Sequence, residues 1–77
     1  MKATTICGRN AVAALFARRP GDVLRLFHLP QMKQEAGPFC ARLAASRLPY
    51  RMVEEEELAK VAGTTHHGGM VAVANGW

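Results

Sequence analysis

The sequence predicts an α/β layer structure, and two observations lead to that prediction. Segments whose apolar residues recur at helical spacing alternate with short, almost wholly apolar segments, in the order helix, strand, helix, strand, helix, strand. Proline and glycine stand between these segments, as they do between secondary-structure elements. A chain of 77 residues suits one small domain, so a single domain over residues 1–77 is expected.

The first helix is predicted over residues 8–19. Its larger apolar residues stand at positions 12, 15 and 16, and alanines fill the positions between them. Asn10 or Gly8 is suited to cap the start of this helix, and Pro20-Gly21 ends it.

Two further helices follow. The second is predicted from Pro38, a residue suited to the first helical position, to about Arg47. The third is predicted to begin with the four glutamates at 54–57, because the dipole and free amides of a first turn stabilise acids. It ends at Gly63, and this account of the acidic run is preferred to a catalytic or metal-binding role.

Three apolar runs predict strands at residues 23–29, 50–53 and 70–74. The first run is apolar on both faces, which is typical of a strand covered by helices on two sides, with Leu24 and Leu26 on one face. The side chains predicted to be buried are Leu26, Phe27, Leu43, Met52, Leu58, Val61, Val71 and Val73.

Composition excludes several classes of protein. Two cysteines, Cys7 and Cys40, are too few for a disulfide-stapled secreted scaffold. No apolar run reaches the roughly 20 residues of a membrane span, and the N-terminus lacks the apolar core of a secretion signal. A domain of a reducing compartment, the cytoplasm, is therefore expected.

The sequence contains no recognisable catalytic or metal-binding pattern. Cys7, Cys40, His66 and His67 match no zinc spacing, so no metal is expected. There is no serine, histidine and carboxylate grouping, no Walker loop and no dinucleotide fingerprint. The chain alone is therefore expected to be no enzyme, with no cofactor of its own.

The charge of the chain is unevenly distributed. Residues 1–53 hold nine basic and two acidic residues, a net charge of +7, whereas the whole chain carries +4. Such a field favours a polyanionic partner. The alternative is a protein whose surface is merely slightly basic.

Two segments combine polar groups with accessible backbone. Arg9 and Asn10 stand at the start of the first helix, where free amides attract anions. Residues 64–69, Thr-Thr-His-His-Gly-Gly, form a loop whose imidazoles can stack on bases or donate to phosphates. The alternatives are that Asn10 is only a cap and that the loop is only a tight turn with solvated histidines.

These segments also carry a resemblance to a known family. Gly8-Arg9-Asn10-Ala11-Val12 resembles the opening motif of the substrate-binding domain of the SpoU/TrmH family of RNA ribose 2′-O-methyltransferases. The stretch from Glu57 to Gly63, followed by His66-His67-Gly68-Gly69-Met70-Val71-Ala72, is similar to its closing motif. The segments around Arg25-Leu26-Phe27 and from Leu48 to Val53 match its layout, so the resemblance covers roughly residues 5–75.

The resemblance implies a compact three-layer α/β/α sandwich similar to the kink-turn-binding ribosomal proteins. It implies that the domain grips structured RNA, ribosomal or transfer, as the substrate-recognition part of a 2′-O-ribose methyltransferase. A separate knotted domain after residue 77 would bind S-adenosylmethionine and transfer the methyl group, and the parent protein would be a homodimer. The chain would then be a fragment, and Trp77 either a tail residue or a cap on the last strand.

The expected RNA contacts follow from the two segments and the basic residues around them. They are Arg9, Asn10, Arg18, Arg19, Lys33, Thr65, His66, His67, Gly68 and Gly69. His67 aligns with the histidine of the closing motif. His66 stands where the family usually has a basic residue, so its charge depends on pH, and Gly68 stands where glutamine often follows.

Two other functions fit the same residues. The chain would be a stand-alone structural RNA-binding protein of ribosomal type, or a module that docks onto a partner domain. Continuation of the reading frame into a methyltransferase domain would favour substrate recognition over both.

Overall fold

The computed structural model describes residues 3–75, and within them seven helices and strands follow one another. The strands are Ala3–Cys7 (β1), Val23–His28 (β2), Tyr50–Met52 (β3) and Met70–Asn75 (β4). The helices are Arg9–Arg18 (α1), Lys33–Ala45 (α2) and Glu55–Ala62 (α3). Short 3₁₀ turns, Pro20–Asp22 and Pro30–Met32, precede β2 and α2.

The four strands form one mixed sheet in the order β1-β4-β2-β3. β4 pairs antiparallel with both β1 and β2, whereas β2 and β3 are parallel. Helices α1 and α2 cover one face of the sheet through a buried cluster that includes Leu15, Leu26 and Leu43. Helix α3 covers the other face, where Leu58 packs against Val71 and Leu29. The structure thus confirms the predicted α/β sandwich.

A β-bulge at the start of β2 changes which side chains share a face. The register shifts between Val23 and Arg25 relative to β4. Val23 and Leu26 therefore lie in the same buried cluster although they are three residues apart, and both are fully buried. The expectation that Leu24 and Leu26 share one face is wrong, because an extra residue in a strand reverses the alternation of faces.

The second helix begins five residues before the predicted position. The 3₁₀ turn from Pro30 leads directly into α2, so Pro30 rather than Pro38 stands at the first helical position. Pro38 lies inside α2. Residue 37 is glycine, and the absence of a Cβ removes part of the clash that disfavours helical backbone before proline.

Most of the predicted core is buried, with one clear exception. Leu26, Leu43, Leu58 and Val71 are at most 2% exposed, and Phe27, Val61 and Val73 are half-buried. Met52 is 56% exposed, so its predicted burial is wrong. The reason is that β3 is an edge strand of the sheet, where only one neighbour covers the side chains.

Three further findings bear on what the sequence predicted. Strand β1 was not among the predicted elements. Trp77 lies outside the described residues. Within residues 3–75, no helix has the length and apolar character needed to cross a membrane.

Candidate functional site

The starts of all three helices lie at one edge of the sheet, the edge formed by the carboxyl ends of β1, β2 and β3. Cys7, the last residue of β1, pairs with Val71, and His28, the last of β2, pairs with Met70 and Met52. Because α1, α2 and α3 follow β1, β2 and β3, each begins at this edge. The N-terminus of a helix carries a partial positive charge, so the edge collects three such charges.

The loop before β4 rests against the start of α1. The Gly8 N–H donates to the carbonyl oxygen of Met70 at 2.8 Å. A Cβ placed on Gly68 would lie 3.0 Å from the Gly8 Cα and 3.9 Å from the Arg9 nitrogen. The two segments predicted separately from the sequence, at positions 8–10 and 64–69, therefore form one continuous surface.

Two glycines make this close approach possible. Gly68 has a φ of +65° and Gly8 has a φ of +94°, a range that side chains with a Cβ rarely adopt. Another residue would reach neither backbone position without strain, and a Cβ on Gly68 would crowd the Gly8 Cα at 3.0 Å.

His67 points into the loop rather than out of it. Its Nδ1 accepts a hydrogen bond from the Gly69 N–H at 3.0 Å, and the residue is 3% exposed. Its Nε2 lies 3.3 Å from Oε1 of Glu55 in α3, within ion-pair distance but without the alignment of a hydrogen bond. Since Nδ1 is the acceptor, the neutral imidazole carries its proton on Nε2.

Gly69 connects the loop to the start of α2. Its carbonyl oxygen accepts the Leu29 N–H at 3.0 Å. A Cβ on Gly69 would meet the side chain of Met32 at 2.8 Å, so Met32 packs directly over the glycine. Lys33 follows Met32 in the chain and is exposed, which places it at the same edge as the loop.

The remaining loop residues are exposed. Thr64, Thr65 and His66 face solvent, and the His66 N–H donates to Oγ1 of Thr64 at 3.1 Å. This local bond orders the loop and leaves the side chains of Thr65 and His66 directed outward. They are the polar groups of the loop most accessible to a partner.

The three helix starts differ in charge. The first turn of α1 contains no acid, and no side chain among residues 3–75 caps it. The first helical hydrogen bond runs from the Val12 N–H to the Gly8 carbonyl. The amides of residues 9–11 precede that bond, and no acidic side chain of the first turn neutralises their partial positive charge. The first turn of α2 contains Glu35, and that of α3 contains Glu55, Glu56 and Glu57. An external anion is therefore favoured at α1 and repelled at α3.

The predicted site residues do not all gather at this edge. The structure brings together Arg9, Asn10, Lys33, Thr65, His66, His67, Gly68 and Gly69. Arg18 and Arg19 lie at the far end of α1, about 15 Å away at 1.5 Å per helical residue. Arg19 pairs with Asp22 at 2.8 Å and donates to the Asn75 carbonyl, contacts that fasten the helix end to the sheet.

Three residues at this edge were not among the RNA contacts predicted from the sequence. Gly8 belongs to the predicted segment at the start of α1 but is not among the expected RNA contacts, and Glu55 was assigned only to a helix start. His28, the last residue of β2, is 5% exposed, and its Nδ1 has no hydrogen-bond partner among the described residues. Burial, and then the charge of Lys33, lowers the pKa of His28 below its ordinary value. A histidine inside an apolar run was the available signal.

The cysteines lie on opposite faces of the sheet. Cys7 packs into the cluster under α3 and Cys40 into the cluster under α1 and α2, and both thiols are free. Burial raises the pKa of Cys40. Among residues 3–75, no three His, Cys, Asp or Glu side chains are grouped so as to hold a metal ion.

The sequence of the chain is similar to known proteins of one family. The family model described as RNA 2′-O ribose methyltransferase substrate binding matches residues 5–76. An uncharacterized tRNA/rRNA methyltransferase of Haemophilus influenzae is 45% identical over 65 residues, which are 84% of this chain and 18% of that protein. An uncharacterized tRNA/rRNA methyltransferase of Escherichia coli O157:H7, YfiF, is 37% identical over 67 residues, which are 87% of this chain and 19% of that protein.

The chain thus spans just under a fifth of the length of these two relatives. The family match covers both segments of the edge surface and every described strand and helix except the first residues of β1. The resemblance noted in the sequence is confirmed: the chain belongs to the family of RNA 2′-O-ribose methyltransferase substrate-binding domains.

Proposed function

We propose that this chain recognises structured RNA on behalf of a 2′-O-ribose methyltransferase and that the start of α1 and the loop at 64–69 form one RNA-binding surface. The observation that carries the proposal is the contact of Gly68 with Gly8, since it joins a helix start without acids to a loop with exposed hydrogen-bonding groups. A phosphate would bind to the amides of residues 9–11 with Arg9 beside it.

The loop supplies contacts of a different kind. His66 and Thr65 are exposed and adjacent to the phosphate position, so they would meet the sugar or an unpaired base. His67 would act mainly through the shape of the loop, because its imidazole is buried and holds the Gly69 N–H. Its role is thus one of positioning: it holds Gly69, which is buried, so that the exposed Gly68 presents its backbone to the RNA.

Basic residues at a distance would add less specific attraction. Lys33 lies at the same edge and would reach a neighbouring phosphate. Arg18 and Arg19 would contribute only to an RNA long enough to follow α1 to its other end. Arg19 has the smaller share of the two, since its guanidinium already contacts Asp22 and Asn75.

The parent protein would supply the chemistry. Both relatives are named tRNA/rRNA methyltransferases, and we infer the same class of substrate, ribosomal or transfer RNA, for the protein to which this domain belongs. S-adenosylmethionine would be bound by a separate methyltransferase domain, which is also the partner of this domain within the chain. A homodimeric parent acting in the cytoplasm is part of the same proposal.

The test is a salt titration of RNA binding by two variants of equal charge. Arg9→Ala should lower the affinity for a ribosomal RNA stem-loop and reduce the slope of log K against log salt by about one phosphate contact. Arg42→Ala is the matched control, because Arg42 is an exposed arginine in the last turn of α2, at the opposite edge of the sheet. Fluorescence anisotropy of the labelled stem-loop measures both.

Equal effects of the two substitutions would show a general electrostatic attraction and would contradict the proposed surface. Amide chemical shifts provide a second check on the same sample. RNA should shift the amides of Arg9, Asn10, Thr65 and His66, while Arg42 stays unmoved. Shifts that leave Arg9, Asn10, Thr65 and His66 unmoved would contradict the proposed surface.

A further inference from the structure

A cavity of about 330 Å³ lies between α2 and the ends of β2 and β3, and the proposed RNA surface does not use it. Met70, His28 and Met52 form a row across β4, β2 and β3 on the face that α2 covers. Exposure rises along this row from 0% at Met70 to 5% at His28 and 56% at Met52. The cavity therefore opens at the β3 edge of the sheet.

Small residues on α2 leave this space unfilled. Gly37 and Cys40 face His28, and a Cβ on Gly37 would meet nothing within 4 Å. Tyr50 and Met52 form the opposite wall, and they are the large hydrophobic residues that stand exposed within residues 3–75. An unfilled space beside two exposed apolar side chains is typical of a binding site rather than of an ordinary surface.

The walls also carry polar groups that an apolar occupant would leave without partners. His28 lines the cavity, and its buried Nδ1 has no hydrogen-bond partner among the described residues. The imidazole of His28 thus gives the cavity a polar wall, which suits an occupant with a polar edge. Lys33 also lines the cavity and brings a positive charge to it.

An unpaired nucleobase has the required combination of surfaces. Its flat apolar faces suit Tyr50 and Met52, its polar edge suits His28, and the phosphate attached to its ribose suits Lys33. The volume is sufficient, since a protein cavity of about 150 Å³ already holds benzene. Lys33 follows Met32, which packs over Gly69, so the cavity adjoins the loop of the proposed RNA surface.

We propose that this cavity, lined by His28, Lys33, Cys40, Tyr50 and Met52, binds one unpaired base of the RNA that the α1 and loop surface holds. The inference rests on the proposed function and extends it: the substrate class becomes RNA with a base extruded from its helix. Tyr50 stacks on the base, and the polar edge of the base faces the imidazole of His28.

The experiment compares three fluorescent hairpins with one protein. The hairpins share a stem and differ at a single position, which is a bulged adenosine, an abasic bulge or no bulge. The wild-type chain should bind the adenosine bulge about tenfold more tightly than the other two, in line with the effect of a stacked base. Anisotropy at one fixed, low salt concentration gives the three dissociation constants.

Two substitutions should remove this preference and leave the affinity for the fully paired hairpin unchanged. Tyr50→Ala removes the stacking face, and Tyr50→Phe, which retains it, is the matched control. Cys40→Leu fills the cavity from α2, and Ala45→Leu adds the same side chain at an exposed position of that helix. Thermal melting confirms that all four variants are folded.

The outcomes separate this inference from the proposed function. Equal binding of all hairpins by the wild type, or a preference that Tyr50→Ala and Cys40→Leu retain, overturns the base pocket, while an effect of Arg9→Ala on the paired hairpin still supports the RNA surface. Loss of binding to every hairpin overturns both. A dimer in sedimentation that Cys40→Leu abolishes would assign the cavity to a second copy of the chain and would also overturn the pocket.

Discussion

The contact between the loop and α1 predicts a large difference between two glycine substitutions. Gly63 and Gly68 both have left-handed backbone, with φ of +74° and +65°. Alanine at either position costs about 1–2 kcal/mol for the backbone alone. A Cβ on Gly63 meets nothing within 4 Å, whereas one on Gly68 lies 3.0 Å from the Gly8 Cα. Gly63→Ala is thus a control with the same backbone strain and no contact.

The crowded atom cannot move aside easily. Gly8 donates to Met70 at 2.8 Å and accepts from Val12 at 2.9 Å, so a shift of its Cα disturbs both the sheet edge and the first turn of α1. Overpacking of this kind adds about 1–3 kcal/mol. Gly68→Ala should therefore lower the free energy of unfolding by about 2–5 kcal/mol, against about 1–2 kcal/mol for Gly63→Ala.

Urea denaturation followed by circular dichroism measures both free energies. At a temperature where both variants are folded, Gly68→Ala should also weaken RNA binding, and Gly63→Ala should leave it close to wild type. If Gly68→Ala costs no more free energy than Gly63→Ala, the loop does not rest on the helix start, and the single surface proposed above does not exist.

Three further predictions concern the core, the buried histidines and pH. Leu26→Ala should lower the free energy of unfolding by about 2–5 kcal/mol in urea denaturation, because the side chain is fully buried. Met52→Ala, at an exposed position, should change it by less than about 0.5 kcal/mol. Similar costs for the two substitutions would refute the assignment of Leu26 to the buried layer. Burial, and then the charge of Lys33, holds the pKa of His28 below 6.5 in the folded state. As pH falls, the unfolded chain therefore binds the proton first, and the stability of the fold decreases as pH drops through 6.5 towards the lower pKa. The decrease is at most about 1.4 kcal/mol per pH unit. His28→Gln should flatten that slope, and identical slopes would show that His28 does not titrate in this way. His67→Asn offers an oxygen to the Gly69 N–H and should bind RNA within about threefold of wild type. His67→Ala leaves that N–H without a partner and should lower the free energy of unfolding by about 1–3 kcal/mol. An equal loss of RNA affinity in both variants would favour direct contact of the imidazole with RNA.

Elements buried on both faces were the ones that the sequence predicted well. The runs that became β2 and β4 are almost wholly apolar because helices cover the central strands on two sides. Strand β1, Ala-Thr-Thr-Ile-Cys, is an edge strand with three exposed residues, and so it lacks that pattern. The position of β3 at the other edge explains the exposure of Met52. Edge or centre depends on the order of strands in space, which local periodicity does not contain.

The candidate site likewise has features that the local sequence predicts and features that depend on contacts between distant residues. Glycine, arginine and asparagine near the start of α1, and two histidines before two glycines, are the signals from which both segments were predicted. The inward direction of His67 was not predictable, because it depends on the Gly69 N–H and on Glu55 in another helix. The contact of Gly68 with Gly8 joins residues 60 positions apart and follows only from the antiparallel pairing of β1 with β4.

Topology also limits what the charge count can say about RNA. Residues 1–53 carry +7, yet the fold places the glutamates of α3 at the same edge as Arg9, because every helix begins where its preceding strand ends. A phosphate backbone crossing this edge is attracted by α1 and by Lys33 and repelled by α3. An RNA path that fits these two attractions and the repulsion goes from the start of α1 past the loop towards α2. It stays on the side of the sheet away from α3. The cavity beside His28 lies on that same side, so one strand of RNA can reach both surfaces without crossing the acidic helix start.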